Sequence, residues 1–165
     1  RTAEEFTPDG RHTPWFKPMV ELGFNYRLTD LQAALGTSQL TRLDSFLERR
    51  RQIARRYSGE LVGFQLPAVP ADREHAWHLF VVHCPADERD ALLAHLHREH
   101  VRAQVHYYPV PLQPWFRARN RGAVFPRAEE HAQSAISLPM HAALTDEQQE
   151  HVLELLNAWR RRAAA

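Results

Sequence analysis

From Thr29 to Tyr57 apolar side chains recur at helical spacing, and no other stretch of the chain restricts the fold as much. Thr29 with Gln32 three residues on is a capping-box signature, and Asp30 suits the positive end of a helix. Leu31, Ala34 and Leu35 begin one face; Leu40, Leu43, Phe46 and Leu47 carry it on; Ile53, Ala54 and Tyr57 complete it. The pattern runs for about thirty residues, longer than most globular helices. A break between Gln39 and Arg42 is expected, giving a short helix and then a long one. Gly59 and Gly63 close this segment, and Pro67 and Pro70 mark a connection.

Trp77 to Cys84 is rich in β-branched and aromatic residues and reads as a strand. Asp87 to His100 reads as an amphipathic helix with Leu92, Leu93 and Leu96 inward. Val101, Ala103, Val105 and Tyr107 alternate on one face, which predicts a second strand. Residues 109–126 hold Pro109, Pro111, Pro114 and Pro126 around Trp115 and Phe116, an aromatic loop. A short helix over Ala128–Ile136 and a brief third strand over Ser137–Pro139 follow. Thr145, with Gln148 as its capping-box partner, starts the last helix, whose buried stripe is Val152, Leu155, Leu156 and Trp159. Residues 1–22, with Pro8, Pro14, Pro18 and Gly10, read as loop. The order of elements predicts an α+β fold with a small sheet covered by helices.

Several function classes are excluded by counting. Net charge is +1, so no global field favours nucleic acid or a membrane surface. Arg49, Arg50, Arg51, Arg55, Arg56 and Arg160 to Arg162 cluster, and with Glu48 and Glu60 beside the first group they read as solvated helix faces. No stretch approaches the roughly 20 apolar residues of a membrane span, and no secretory signal opens the chain. One cysteine, Cys84, rules out an internal disulfide framework and suits a reducing, cytoplasmic setting. It ends an apolar run, where a buried structural thiol is expected.

Eleven histidines raise the question of a metal, but HExxH spacing and paired cysteines are both missing. No metal site is expected. No GxSxG, GxGxxG or P-loop pattern occurs among the six glycines. Two segments carry candidate chemistry instead. Asn25, Tyr26 and Arg27 directly precede the capped helix, where an amide and a guanidinium can hold an anion; they serve equally as a turn residue and a surface charge. Val105 to Phe116, VHYYPVPLQPWF, places a histidine and two tyrosines at a strand end before the aromatic loop. Such a group can stack on a planar ring or hydrogen-bond a sugar, or simply pack beneath a loop. The residues alone leave both alternatives open.

LGFNYRLTDLQAALGTSQLTRLDSFLERRRQIARRY, HAWHLFVV, VHYYPVPLQPWF, FPRAEEHAQSAISLPMH and LTDEQQEHVLELL follow one another in this chain. In that order they resemble the DegT/DnrJ/EryC1/StrS aminotransferases, which act on nucleotide-linked keto sugars. The wording of the first and third is most similar to the subgroup that aminates UDP-linked 4-keto hexoses toward pseudaminic acid. The resemblance implies the C-terminal portion of a fold-type-I aminotransferase that binds pyridoxal phosphate and works as a homodimer. Residues 1–28 would be a loop of the larger domain carrying the cofactor-phosphate segment; residues 29–165 would be the small C-terminal domain with its long connecting helix.

By the same resemblance Asn25 reaches the cofactor phosphate of the neighbouring subunit, and Arg27 assists. His106, Tyr107 and Tyr108 line the nucleotide-sugar pocket. A second histidine often found after the proline is replaced here by Pro111. The Schiff-base lysine of such enzymes lies upstream of the N-Y-R segment. This chain has a single lysine, Lys17, set between Phe16 and Pro18 in the wrong context. The chain alone is therefore expected to be inactive, because the cofactor lacks its covalent tether. The expected reaction of the complete protein is amino transfer, from glutamate, to UDP-4-keto-6-deoxy-N-acetylhexosamine in glycan biosynthesis. Two other readings stay open: a non-catalytic dimerisation module built on Leu31, Leu35, Leu43 and Phe46, and a lysine-lacking relative that dehydrates sugars.

Overall fold

The computed structural model describes residues 19, 21–23, 27–120 and 122–163. The first helix, α1, spans Asp30–Leu40, and α2 spans Leu43–Glu60. The break falls where the sequence places it. Thr29 caps α1 with both halves of the capping box: its Oγ1 accepts from Gln32 N–H at 3.3 Å, and Gln32 Oε1 accepts from Thr29 N–H at 2.9 Å. Leu31, Ala34 and Leu35 share one side of α1, but Leu40, nine residues past Leu31, falls on the opposite side, so α1 carries no single apolar face. Every residue of α1 is exposed, including Leu31, Leu35 and Leu40.

Strand β1 is Phe80–His83, α3 is Arg89–Arg98, and β2 is Ala135–Leu138. The two strands pair antiparallel, with Phe80 opposite Leu138, Val81 opposite Ser137, Val82 opposite Ile136 and His83 opposite Ala135. Gln65 bridges to the outer edge of β1 and Gln104 to the outer edge of β2. The second strand expected over 101–107 thus shrinks to that single bridge. Its alternation is correct, since Val101, Ala103 and Val105 are buried and Gln104 is exposed, but Tyr107 points to solvent. The loop after it contains a 3-10 turn at Val110–Leu112 and a one-turn helix, α4, at Pro114–Arg117. Helix α5 covers Pro126–Ser134, and α6 covers Asp146–Ala163.

Side chains alternate across a strand, so Phe80, Val82, Ile136 and Leu138 share one face. They join Ile53, Ala54 and Tyr57 of α2, Leu92, Leu93 and Leu96 of α3, and Val152, Leu153 and Leu156 of α6 in one core. Burying each of the larger aliphatic groups contributes roughly 1.5–3 kcal/mol. Tyr57 stacks obliquely on Phe80 at 5.1 Å and donates to Pro139 O at 3.2 Å. Gln149, fully buried on α6, donates Nε2 to Ile53 O at 2.8 Å and so joins α6 to α2.

The arginine cluster is not the solvated face that its charge suggests. Arg50 Nη1 lies 2.9 Å from Trp77 O, 3.1 Å from His78 O and 2.9 Å from Met140 O. Arg49 donates to Leu144 O at 2.5 Å and to Asp146 at 2.8 Å. Arg56 reaches Asp146 O, Glu60 and Glu150. Arg160 pairs with Glu88 at 2.9 Å. Only Arg55, Arg161 and Arg162 keep the exposed character expected of the group. No described helix is long and apolar enough to cross a membrane.

Candidate functional site

The reverse face of the sheet, carrying Val81, His83, Ala135 and Ser137, positions the site. Chain leaving the Gln104 bridge passes directly into His106. Its Nδ1 sits 2.7 Å from Ser137 Oγ, in the middle of β2. Burial, and next the charge of nearby His78, hold the His106 imidazole below its usual pKa. The ring is accordingly neutral at neutral pH. Tyr107 packs edge-on against His106 at 4.7 Å and leaves 71% of its surface exposed. Tyr108 turns the other way, into an open cleft of about 820 Å³.

Prolines shape that cleft. Pro109 is buried and precedes the 3-10 turn, and Pro114 occupies the first position of α4, where a missing N–H costs nothing. Tyr108, Pro111, Leu112 and Pro114 give the cleft an apolar wall, and Arg117 and Asn120 add polar groups. The Arg119 guanidinium lies 3.8 Å over the Trp115 ring and donates to Trp115 O at 3.1 Å, stiffening the rim. Glu129 places a carboxylate in the same lining, so the apolar wall suits a planar ring or sugar face and the charges around it are of both signs.

His106 is held on β2 and Tyr107 is exposed against it, so of the three only Tyr108 lines the cleft of the following loop. Met19 also reaches that loop: Met19 N–H donates to Gln113 Oε1 at 2.8 Å, and Met19 O accepts from Trp115 N–H at 3.1 Å. Asn25 and Lys17 lie outside the described residues. Arg27 is exposed, just before α1. The start of α1 is a poor phosphate cradle by itself, because its capping box already engages Gln32 N–H and Asp30 places a carboxylate in the first turn. The described residues thus do not build a complete phosphate site.

Two features escaped sequence reading. Ser137 is one, although a hydroxyl within the apolar run Ala135–Leu138 hinted that it must be hydrogen-bonded. A second histidine–serine pair is the other: His83 Nδ1 lies 2.8 Å from Ser134 Oγ, with His131 edge-on to His83 at 4.8 Å. Burial, then His131, lowers the His83 pKa. Among the described residues no group of three or more His, Cys, Asp or Glu is placed to hold a metal. Cys84 is buried, and burial followed by the Glu88 carboxylate pushes its thiol up to about 11.

The α+β unit matches solved aminotransferase structures. The chain belongs to the DegT/DnrJ/EryC1/StrS aminotransferase family, whose model matches residues 3–157. It is 33% identical to the spore coat polysaccharide biosynthesis protein SpsC of Bacillus subtilis, over 85% of this chain and 39% of SpsC. The aminotransferase TlmJ of Streptoalloteichus hindustanus superposes with a TM-score of 0.76 at 31% identity, covering 82% of this chain and 37% of TlmJ. PseC of Helicobacter pylori, an aminotransferase in pseudaminic acid biosynthesis, gives 0.72 at 25% identity, over 88% of this chain and 41% of PseC. The chain thus spans about two fifths of the length of the relatives it matches. The family depends on pyridoxal phosphate, and matching structures include its pyridoxal and pyridoxamine phosphate forms.

Proposed function

We propose that this chain supplies the substrate wall of a sugar-nucleotide aminotransferase that moves an amino group from glutamate to UDP-4-keto-6-deoxy-N-acetylhexosamine. One observation carries the reading: Tyr108 lines a cleft with an apolar wall, and His106, two residues before it, is fixed on β2 through Ser137. Pyridoxal phosphate, when bound, supplies the electron sink for the transfer. The residues of this chain bind and orient. Tyr108 and the proline wall offer a surface for a flat ring, and neutral His106 offers a hydrogen bond to a sugar or phosphate oxygen. Asn25 and Arg27 contribute to the cofactor phosphate of the second subunit, a role for which the exposed cation of Arg27 is suited.

The working unit is a cytoplasmic homodimer of a longer polypeptide, in which residues 1–28 belong to the large domain and 29–165 form the small one. Leu31 and Leu35, exposed one turn apart on α1, support a second copy there. The 165-residue chain alone does not transaminate, because Lys17 is its one lysine. The complete polypeptide with pyridoxal phosphate, glutamate and UDP-4-keto-6-deoxy-N-acetylhexosamine should yield the amino sugar by mass spectrometry, and the 165-residue chain should yield none. A complete polypeptide that aminates no 4-keto sugar nucleotide overturns the proposal.

A further inference from the structure

The buried hydroxyl on the reverse face of the sheet has one partner and a consequence for the site. Ser137 is 4% exposed, and its backbone is spent on the Gln104 bridge, at 2.7 and 3.0 Å. Its Oγ lies 2.7 Å from His106 Nδ1. Two arrangements satisfy that distance. If His106 Nδ1–H donates, the Ser137 O–H must find another acceptor, and among the described residues none lies in reach. If the Ser137 O–H donates, both groups are satisfied at once. Folded proteins strongly avoid an orphaned buried O–H, so the second arrangement holds. A neutral imidazole whose Nδ1 accepts must carry its proton on Nε2. The His106 ring then presents an N–H, not a lone pair, on the side away from β2.

We propose that Ser137 is a positioning residue that locks His106 in the Nε2–H tautomer, so that His106 donates a hydrogen bond to an oxygen of the sugar-nucleotide substrate. The substrate half of this statement rests on the function proposed above; the tautomer half does not. A locked donor fits an oxygen acceptor, whether phosphate or sugar carbonyl, and repels a ligand that offers N–H or O–H at the same place. His83 and Ser134 repeat the pairing 2.8 Å apart at the far end of β1, but there Ser134 Oγ also lies 3.0 Å from Glu130 O. That second acceptor leaves the His83 tautomer free, so His83 serves as an internal reference.

Imidazole nitrogen spectra of the chain labelled with 15N-histidine test the tautomer directly. His106 should show an unprotonated Nδ1 and a protonated Nε2, assigned by loss of its signals in His106→Gln. Ser137→Ala should give a mixture of tautomers at His106 and leave the His83 signals unmoved. A wild-type His106 protonated on Nδ1 overturns the proposal without any variant, as does a Ser137→Ala spectrum identical to wild type. In the complete enzyme, Ser137→Ala should raise KM for the sugar nucleotide about five- to tenfold with kcat nearly kept, and should add nothing in a His106→Gln background. If the tautomer shifts as expected while neither variant moves KM, the substrate role of His106 is wrong and the serine lock stands.

Discussion

Replacing Arg50 by methionine separates a clamp from a solvated charge. The Arg50 Nη1 carries two hydrogens and faces three carbonyl oxygens, of Trp77, His78 and Met140, at 2.9–3.1 Å. Three acceptors therefore share the equivalent of two charge-assisted bonds. Each such bond contributes roughly 1.5–3 kcal/mol net. The side chain is only half-buried, so water recovers part of the loss, and about 3 kcal/mol in total is expected. Methionine retains the apolar stem, which keeps lost packing out of the difference. Urea unfolding followed by far-ultraviolet circular dichroism reads the change as a shift in midpoint at constant slope. A domain of this size should also melt roughly 6–12 °C lower, at ~2–4 °C for each kcal/mol. Arg55→Met is the control, because Arg55 is exposed and pairs with Glu48 at 3.0 Å on the surface; it should cost under about 1 kcal/mol. Equal effects of the two substitutions would refute the clamp and restore the plain helix-face reading of the whole cluster.

Leu156→Ala, at a position with no exposed surface in the core of α6, should cost about 2–5 kcal/mol by the same urea assay. Thr145→Ala removes half of the capping box in which Thr145 Oγ1 accepts from Gln148 N–H at 3.2 Å and Gln148 Oε1 accepts from Thr145 N–H at 3.0 Å. It should cost about 1 kcal/mol and speed amide exchange in the first turn of α6. The Cys84 thiol, pushed up to about 11, should resist iodoacetamide at pH 8 until urea unfolds the chain. Rapid labelling of the folded chain at that pH would contradict the burial argument. The sign of the linkage follows: the folded state keeps the Cys84 proton longer than the unfolded one, so its stabilisation is complete below the unfolded thiol pKa. It is lost as pH rises toward about 11, and the urea midpoint should fall over that window.

Features written within a few residues were legible before the structure. Thr29 with Gln32, and Thr145 with Gln148, each form the reciprocal cap, because donor and acceptor stand three residues apart. His106, Tyr107 and Tyr108 are adjacent in the sequence, but their separate surroundings were not legible there: Tyr108 lines the cleft, Tyr107 is exposed and His106 is bonded to Ser137. What depends on distant partners was not legible either. The acceptors of Arg50 lie 27, 28 and 90 residues away, and all are backbone carbonyls, which a count of charges cannot register. Val101, Ala103 and Val105 alternate as a strand should, yet only Gln104 finds a ladder partner, because pairing requires a neighbour in register as well as a pattern. Ser137 is 31 residues from His106, and nothing local joins them.

The core and the site are coupled through the register of a single strand. Ile136 points into the core beside Val82, and Ser137, the next residue, faces His106 on the reverse side. A slip of one residue exchanges these roles, burying a hydroxyl among leucines and presenting an isoleucine to the imidazole. Two contacts guard against it immediately after β2: Tyr57 holds Pro139 O and Arg50 holds Met140 O, both from α2. Those bonds do more than attach a helix to a strand end. They fix which side of β2 each residue occupies, and so tie the hydrogen-bonding state of His106 to the packing of a helix that does not itself enter the cleft.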